Sequence, residues 1–146
     1  MKTLFDTTRL RRHTLKNRIW RSATWLALAD AEGNVTDEIV RTYEELAKGG
    51  AAMIVTGLTS IAQNDAEIGG GAKFYDDRFI AGHKRLTDAI HKHGALVMMQ
   101  TAINVSSICL LVVATMRNAT IRWYKSFNPS RWQLGEAASI RLFGHV

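Results

Sequence analysis

The chain has 146 residues, 47% hydrophobic and 22% charged, which suits one globular domain with a real core and excludes a disordered chain. A single cysteine, Cys109, excludes an internal disulfide framework and suits a reducing, cytoplasmic location. The net charge of +6 is uneven, with 14 Lys or Arg against 12 Asp or Glu in residues 1–100 and five against one in residues 101–146. A general nucleic-acid or membrane-binding role is therefore not supported by charge alone.

The N-terminal stretch MKTLFDTTRLRR lacks the continuous apolar segment of a signal peptide. Arg18 to Thr24 is a short extended run rich in β-formers. Thr36 can cap a helix whose first turn holds Asp37 and Glu38, favourable at the positive end of the helix dipole. Ile39, Tyr43, Leu46 and Ala47 fall on one apolar helical face, and Gly49 and Gly50 supply a left-handed stop. Ala51 to Thr56 follows as a continuous apolar run, as expected of a parallel strand buried on both faces.

The cycle then repeats. Gly69-Gly70-Gly71 reads as a flexible loop, because no Lys-Ser or Lys-Thr follows to make a phosphate loop. Asp76 and Asp77 can start a second helix, with Phe79, Ile80, His83, Leu86 and Ile90 along one side and Gly94 at its end. His83 is expected to be half-buried. His91 and His93 diverge by about 200° on a helix, so no metal site is expected there. Ala95 to Met99 is the second buried-strand run, and the alternation predicts a parallel α/β architecture.

After Gln100 the rhythm is lost. Asn104 to Thr115 is apolar or small with no helix before it, so it does not read as the next strand of a parallel series. The longest apolar run, Ile108 to Ala114, is far short of the roughly 20 residues of a membrane span. Cys109 within it reads as a small buried hydrophobe rather than a nucleophile. Residues 101–146 form an atypical basic and aromatic tail. A second small domain, a divergent end and a reading-frame shift after Gln100 would each give such a change, and the frame shift is the preferred reading. Arg117, Arg122, Lys125, Arg131 and Arg141, interleaved with Trp123, Tyr124, Phe127 and Trp132, could make a stacking and phosphate-binding surface. An untuned tail is the favoured alternative to nucleic-acid binding.

Four segments carry a family resemblance in order and register. They are Leu15-Lys-Asn-Arg-Ile-Trp-Arg-Ser-Ala-Thr-Trp25, Tyr43-Glu-Glu-Leu-Ala-Lys-Gly-Gly50, Met53-Ile-Val-Thr-Gly57, and Leu86 to Gly94 leading to Met98-Met-Gln100. Together they resemble the opening of the NADH:flavin oxidoreductase (old yellow enzyme) family over about residues 3–100. The resemblance implies a starting hairpin and a partial (β/α)8 TIM barrel of about three parallel strands with their helices. It also implies FMN as cofactor, NAD(P)H as electron donor, and a small-molecule acceptor such as an activated alkene. The cofactor of such a barrel sits at the C-terminal ends of the strands. Ser22, Ala23 and Thr24, closing the first strand, match the segment that packs along the flavin. Gly57 matches a small residue after the second strand, and Gln100 matches the glutamine after the third, whose amide can donate and accept at the pyrimidine edge.

Two departures accompany the match. Trp25 stands where family members often carry Thr or Cys, and Ile103 stands where a flavin-holding histidine is expected. A complete barrel takes about 250 residues, so three strands would leave an uncovered edge. That predicts a truncated chain, inactive alone and prone to self-association.

Overall fold

The computed structural model describes the backbone of residues 1–63, 69–105 and 108–115, and the side chains of residues 1–63 and 69–102. The readings above of the Cys109 and Ile103 side chains, and of the cations and aromatics from Arg117 to Trp132, lie outside the described residues.

The chain opens with an antiparallel hairpin of β1 (Thr8–Leu10) and β2 (His13–Leu15). There follow β3 (Trp20–Arg21), α1 (Asp37–Lys48), β4 (Met53–Ser60) and β5 (Ala72–Lys73). After these come a 3₁₀ turn (Asp77–Phe79), α2 (Ile80–His91), β6 (Leu96–Val105) and β7 (Ile108–Thr115). The main sheet has the order β3-β4-β6-β7, with short β5 paired to the end of β4. Strands β3, β4 and β6 are parallel neighbours, as the alternating sequence pattern predicts. They make a partial α/β sheet, not a closed barrel.

Helix α1 and the 3₁₀ turn that leads into α2 each begin at a capping side chain, whereas α2 itself follows Phe79 with no side-chain cap. The Thr36 hydroxyl accepts from Ile39 N at 3.3 Å, and the Asp76 carboxylate accepts from Arg78 N at 2.9 Å. Each thereby satisfies an N–H that the first turn leaves unpaired. At the end of α1 the division of labour differs from the expectation. Gly49 is right-handed (φ −63°) and Gly50 alone takes the left-handed conformation (φ 101°).

The core lies between the helices and one face of the sheet. Ile39, Tyr43 and Ala47 of α1 meet Leu86 and Ile90 of α2 over Ile54, Val97 and Met99. Alternation along β6 puts Leu96, Met98 and Gln100 on the opposite face. There Leu96 and Met98 pack with Met53, Ala52 and Leu15 of the hairpin. Burying a side chain such as Leu15 contributes about 2 kcal/mol, which is why the hairpin is held at this end of the sheet.

Two local expectations are corrected. Only Trp20 and Arg21 of the first extended run are ladder-paired, so Ser22 to Thr24 follow the strand as irregular chain. The glycine run is a turn and irregular chain, with Gly70 O accepting from Ala29 N at 3.0 Å. The apolar stretch after Gln100 is regular. Strand β6 continues to Val105, and β7 pairs with it antiparallel from Val105↔Ile108 to Met98↔Thr115. Only two residues separate these strands, too few for the crossover that parallel pairing needs, so antiparallel pairing is the short connection available. Among the described residues no helix is long and apolar enough to cross a membrane.

Candidate functional site

The segment that carries most of the family resemblance has two ends with different physical roles. Its first part, Leu15-Lys16-Asn17, fastens the foot of the sheet. Lys16 Nζ donates to His93 O at 2.9 Å and to Ala47 O at 3.4 Å, bringing a cation to the negative ends of both helices. Asn17 Nδ2 donates to Gly50 O at 2.7 Å, while its Oδ1 accepts from Ile19 N at 2.9 Å. Leu15 seals the space beneath. These residues are structural, and they lie at the N-terminal ends of β4 and β6.

The second part, Ser22 to Trp25, lies toward the C-terminal ends. Ser22 and Thr24 are exposed, and Ala23 is half-buried. Arg21 Nη1 folds back on the segment, donating to Ser22 O at 3.2 Å and to the Thr24 hydroxyl. Trp25 is 51% exposed beside them.

Gly57 stands within β4, and Gln100 within β6, rather than after those strands. Their relation is set by a β-bulge. Val55 pairs with Met98 but Leu58 pairs with Gln100, so Thr56 and Gly57 together oppose Met99. A Cβ at Gly57 would stand 2.6 Å from Thr24 O and 3.4 Å from Trp25 Cα. The backbone after β3 therefore touches β4 where only glycine fits. The expectation for Gly57 concerned crowding of a ring; the crowding visible here is with the Thr24 carbonyl. Gln100 is half-buried on the sheet face away from the helices, and its N–H donates to Thr56 Oγ1 at 3.3 Å. The fold thus brings Thr24, Gly57 and Gln100 to one place through one irregularity.

Two neighbouring residues acquire roles that periodicity did not assign them. Tyr43 falls in the apolar stripe of α1, yet its hydroxyl accepts from Gly57 N at 2.6 Å. Burial raises its pKa above the usual tyrosine value, against smaller lowering effects from the Gly57 N–H and Arg21. The available signal was general: a buried tyrosine oxygen must find a partner. His83 is 3% exposed rather than half-buried. Its Nε2 meets Lys73 O at 3.0 Å and its ring packs edge-on to Phe74, centroids 4.8 Å apart. Nδ1 has no hydrogen-bond partner among the described residues, and burial pushes the imidazole pKa down to about 4. His83 helps line a cavity of about 30 Å³ with Trp25, Leu28, Tyr43, Thr56 and Gly57. That is room for about one water.

Comparisons with known proteins place the chain in a family. The profile of the NADH:flavin oxidoreductase / NADH oxidase family matches residues 3–108. A 4,4'-dithiodibutanoate disulfide reductase of Rhodococcus erythropolis is 34% identical over 98 residues, covering 67% of this chain and 24% of the relative. An NADPH dehydrogenase of Listeria monocytogenes is 31% identical over 107 residues, covering 70% of this chain and 30% of the relative. Among solved structures, the old yellow enzyme from Trypanosoma cruzi matches with a TM-score of 0.62 at 27% identity, over 68% of this chain and 26% of that one. That from Pichia sp. AKU4542 matches in fold with a TM-score of 0.65 at 24% identity, over 70% of this chain and 26% of that one. This chain thus spans less than a third of the length of these relatives. The family works with FMN, with NADH or NADPH as electron donor, on small molecules. The chain belongs to the NADH:flavin oxidoreductase / NADH oxidase family.

Proposed function

We propose that this chain forms part of the FMN-binding face of an old yellow enzyme-type NAD(P)H oxidoreductase. The carrying observation is the convergence of Thr24, Gly57 and Gln100 at the β4 bulge, toward the C-terminal ends of the parallel strands. The residues there suit a flat heteroaromatic ring. Ser22 and Thr24 offer exposed hydroxyls, Ala23 and Gly57 add no bulk, and the Gln100 amide can donate and accept at a pyrimidine edge. FMN, when bound, supplies the hydride chemistry between NAD(P)H and a small acceptor such as an activated alkene. The contribution of these residues is to hold and orient the ring and to keep its near face out of water. Three parallel strands supply only part of the eight-stranded set, and Ile103 stands where the family resemblance places a histidine. Turnover by this chain alone is therefore not expected.

Titration of the purified chain with FMN tests this reading. Saturable quenching of flavin fluorescence, weakened by Gln100→Ala, supports it. Linear, unsaturated fluorescence over the same range removes it.

A second reading is that the chain acts as an associating, non-catalytic module. It is favoured by the sheet edge at β3, where Ile19 is 37% and Trp20 49% exposed. These residues flank a groove beside α1 that also takes in Arg41, Leu46 and Ala51. Elution volume that falls with protein concentration, and recovers in Trp20→Lys, would support association through this edge. A concentration-independent monomer would remove it.

A further inference from the structure

A β-bulge breaks the ladder, and the backbone N–H groups beside it must be satisfied some other way. Here two such groups go to side-chain hydroxyls from different elements. Gly57 N donates to Tyr43 Oη at 2.6 Å, reaching from the sheet to α1. Gln100 N donates to Thr56 Oγ1 at 3.3 Å, reaching from β6 to β4. Tyr43 and Thr56 are each only 4% exposed, so bulk water is poorly placed to replace either hydroxyl.

We propose that Tyr43 and Thr56 are positioning residues for the cofactor face, acting as a two-hydroxyl clamp on the β4 bulge. The inference rests on the FMN reading above and extends it to residues that need not touch the ring. Tyr43 sets where Gly57 lies, and Gly57 sets how near the Ser22 to Trp25 segment comes, because its α-carbon is the surface against which Thr24 O rests. Thr56 sets the height of Gln100 against β4. A one-residue change in this register would turn the Gln100 side chain to the helix face. The clamp thus joins three separate segments into one surface, and removing either hydroxyl loosens a different part of it.

The test uses the full chain with Tyr43→Phe, Thr56→Val and Thr56→Ser, read by amide hydrogen exchange and by FMN affinity. Tyr43→Phe is expected to speed exchange at Gly57 about tenfold more than at Val97, and to weaken FMN about tenfold. Thr56→Val is expected to do the same at Gln100, with Thr56→Ser restoring both readouts. If the wild type binds FMN and the variants bind it equally well, the clamp is overturned while the FMN reading stands. Uniform acceleration of exchange across the sheet, with Thr56→Ser no better than Thr56→Val, would mean only general stability and also overturns it. Absence of FMN binding by the wild type removes both readings. Should Tyr43→Phe fail to fold, the comparison of Thr56→Val with Thr56→Ser decides.

Discussion

Gly57→Ala tests the close approach that builds the candidate site. The new methyl would lie 2.6 Å from Thr24 O, whereas ordinary contacts begin near 3.4 Å. Roughly 0.8 Å must therefore be recovered by moving backbone, since the obstructing atom is a carbonyl oxygen and not the end of a flexible side chain. Overpacking of this kind costs about 1–3 kcal/mol. In a chain of this size that corresponds to a fall in Tm of roughly 2–12 °C. The displaced segment is Ser22 to Trp25, so FMN affinity should fall as well. Differential scanning calorimetry and flavin fluorescence read the two effects separately. Gly69→Ala is the control, because among the described residues no atom lies within 4 Å of its virtual Cβ. A Gly57→Ala protein with the melting temperature and FMN affinity of Gly69→Ala would refute the reasoning.

Further outcomes follow from the same geometry. His83 has a pKa near 4 in the fold against an ordinary value of 6.5, so the unfolded chain binds the extra proton. Its contribution is fully present above pH 6.5 and is lost as pH falls toward 4, by at most about 3 kcal/mol. Urea denaturation at pH 7 and pH 4.5 should show this acid sensitivity, and His83→Gln should flatten it; equal slopes in the two proteins would contradict it. Thr36 both caps α1 and donates to Leu28 O at 2.7 Å. Thr36→Ala should lower stability by about 1–2 kcal/mol and Thr36→Ser should recover most of it, as measured by thermal melts.

The elements visible in the sequence are those whose cause is local. Thr36 and Asp76 announce helix starts through side chains that bond within three residues. The apolar runs before Thr56 and Met99 announce strands because both faces are covered, by the helices on one side and the hairpin on the other. What the sequence hid depends on distant partners. The bulge at Thr56 and Gly57 exists only in relation to β6, and its one local sign is the glycine inside the strand. Tyr43 reads as one more apolar position until Gly57, fourteen residues later, is seen donating to its hydroxyl. His83 looked amphipathic on α2, but its full burial is due to β5 and Phe74 closing over it. Strand β7 was missed as well. The run after Gln100 was rightly not read as a further parallel strand, but antiparallel return onto β6 was not considered. Of the candidate site, Thr24, Gly57 and Gln100 were nominated by family resemblance alone, and the close approach of Thr24 to Gly57 was not legible in the sequence.

The central claim is that FMN meets the bulge end of the sheet and not its foot. An amide correlation spectrum of the ¹⁵N-labelled chain, recorded with increasing FMN, tests it most directly. The account predicts saturable shifts at Ser22 to Trp25, Gly57 and Gln100, with Leu15 to Asn17 unmoved. Shifts confined to the hairpin and foot, or none at any of these amides, would contradict it.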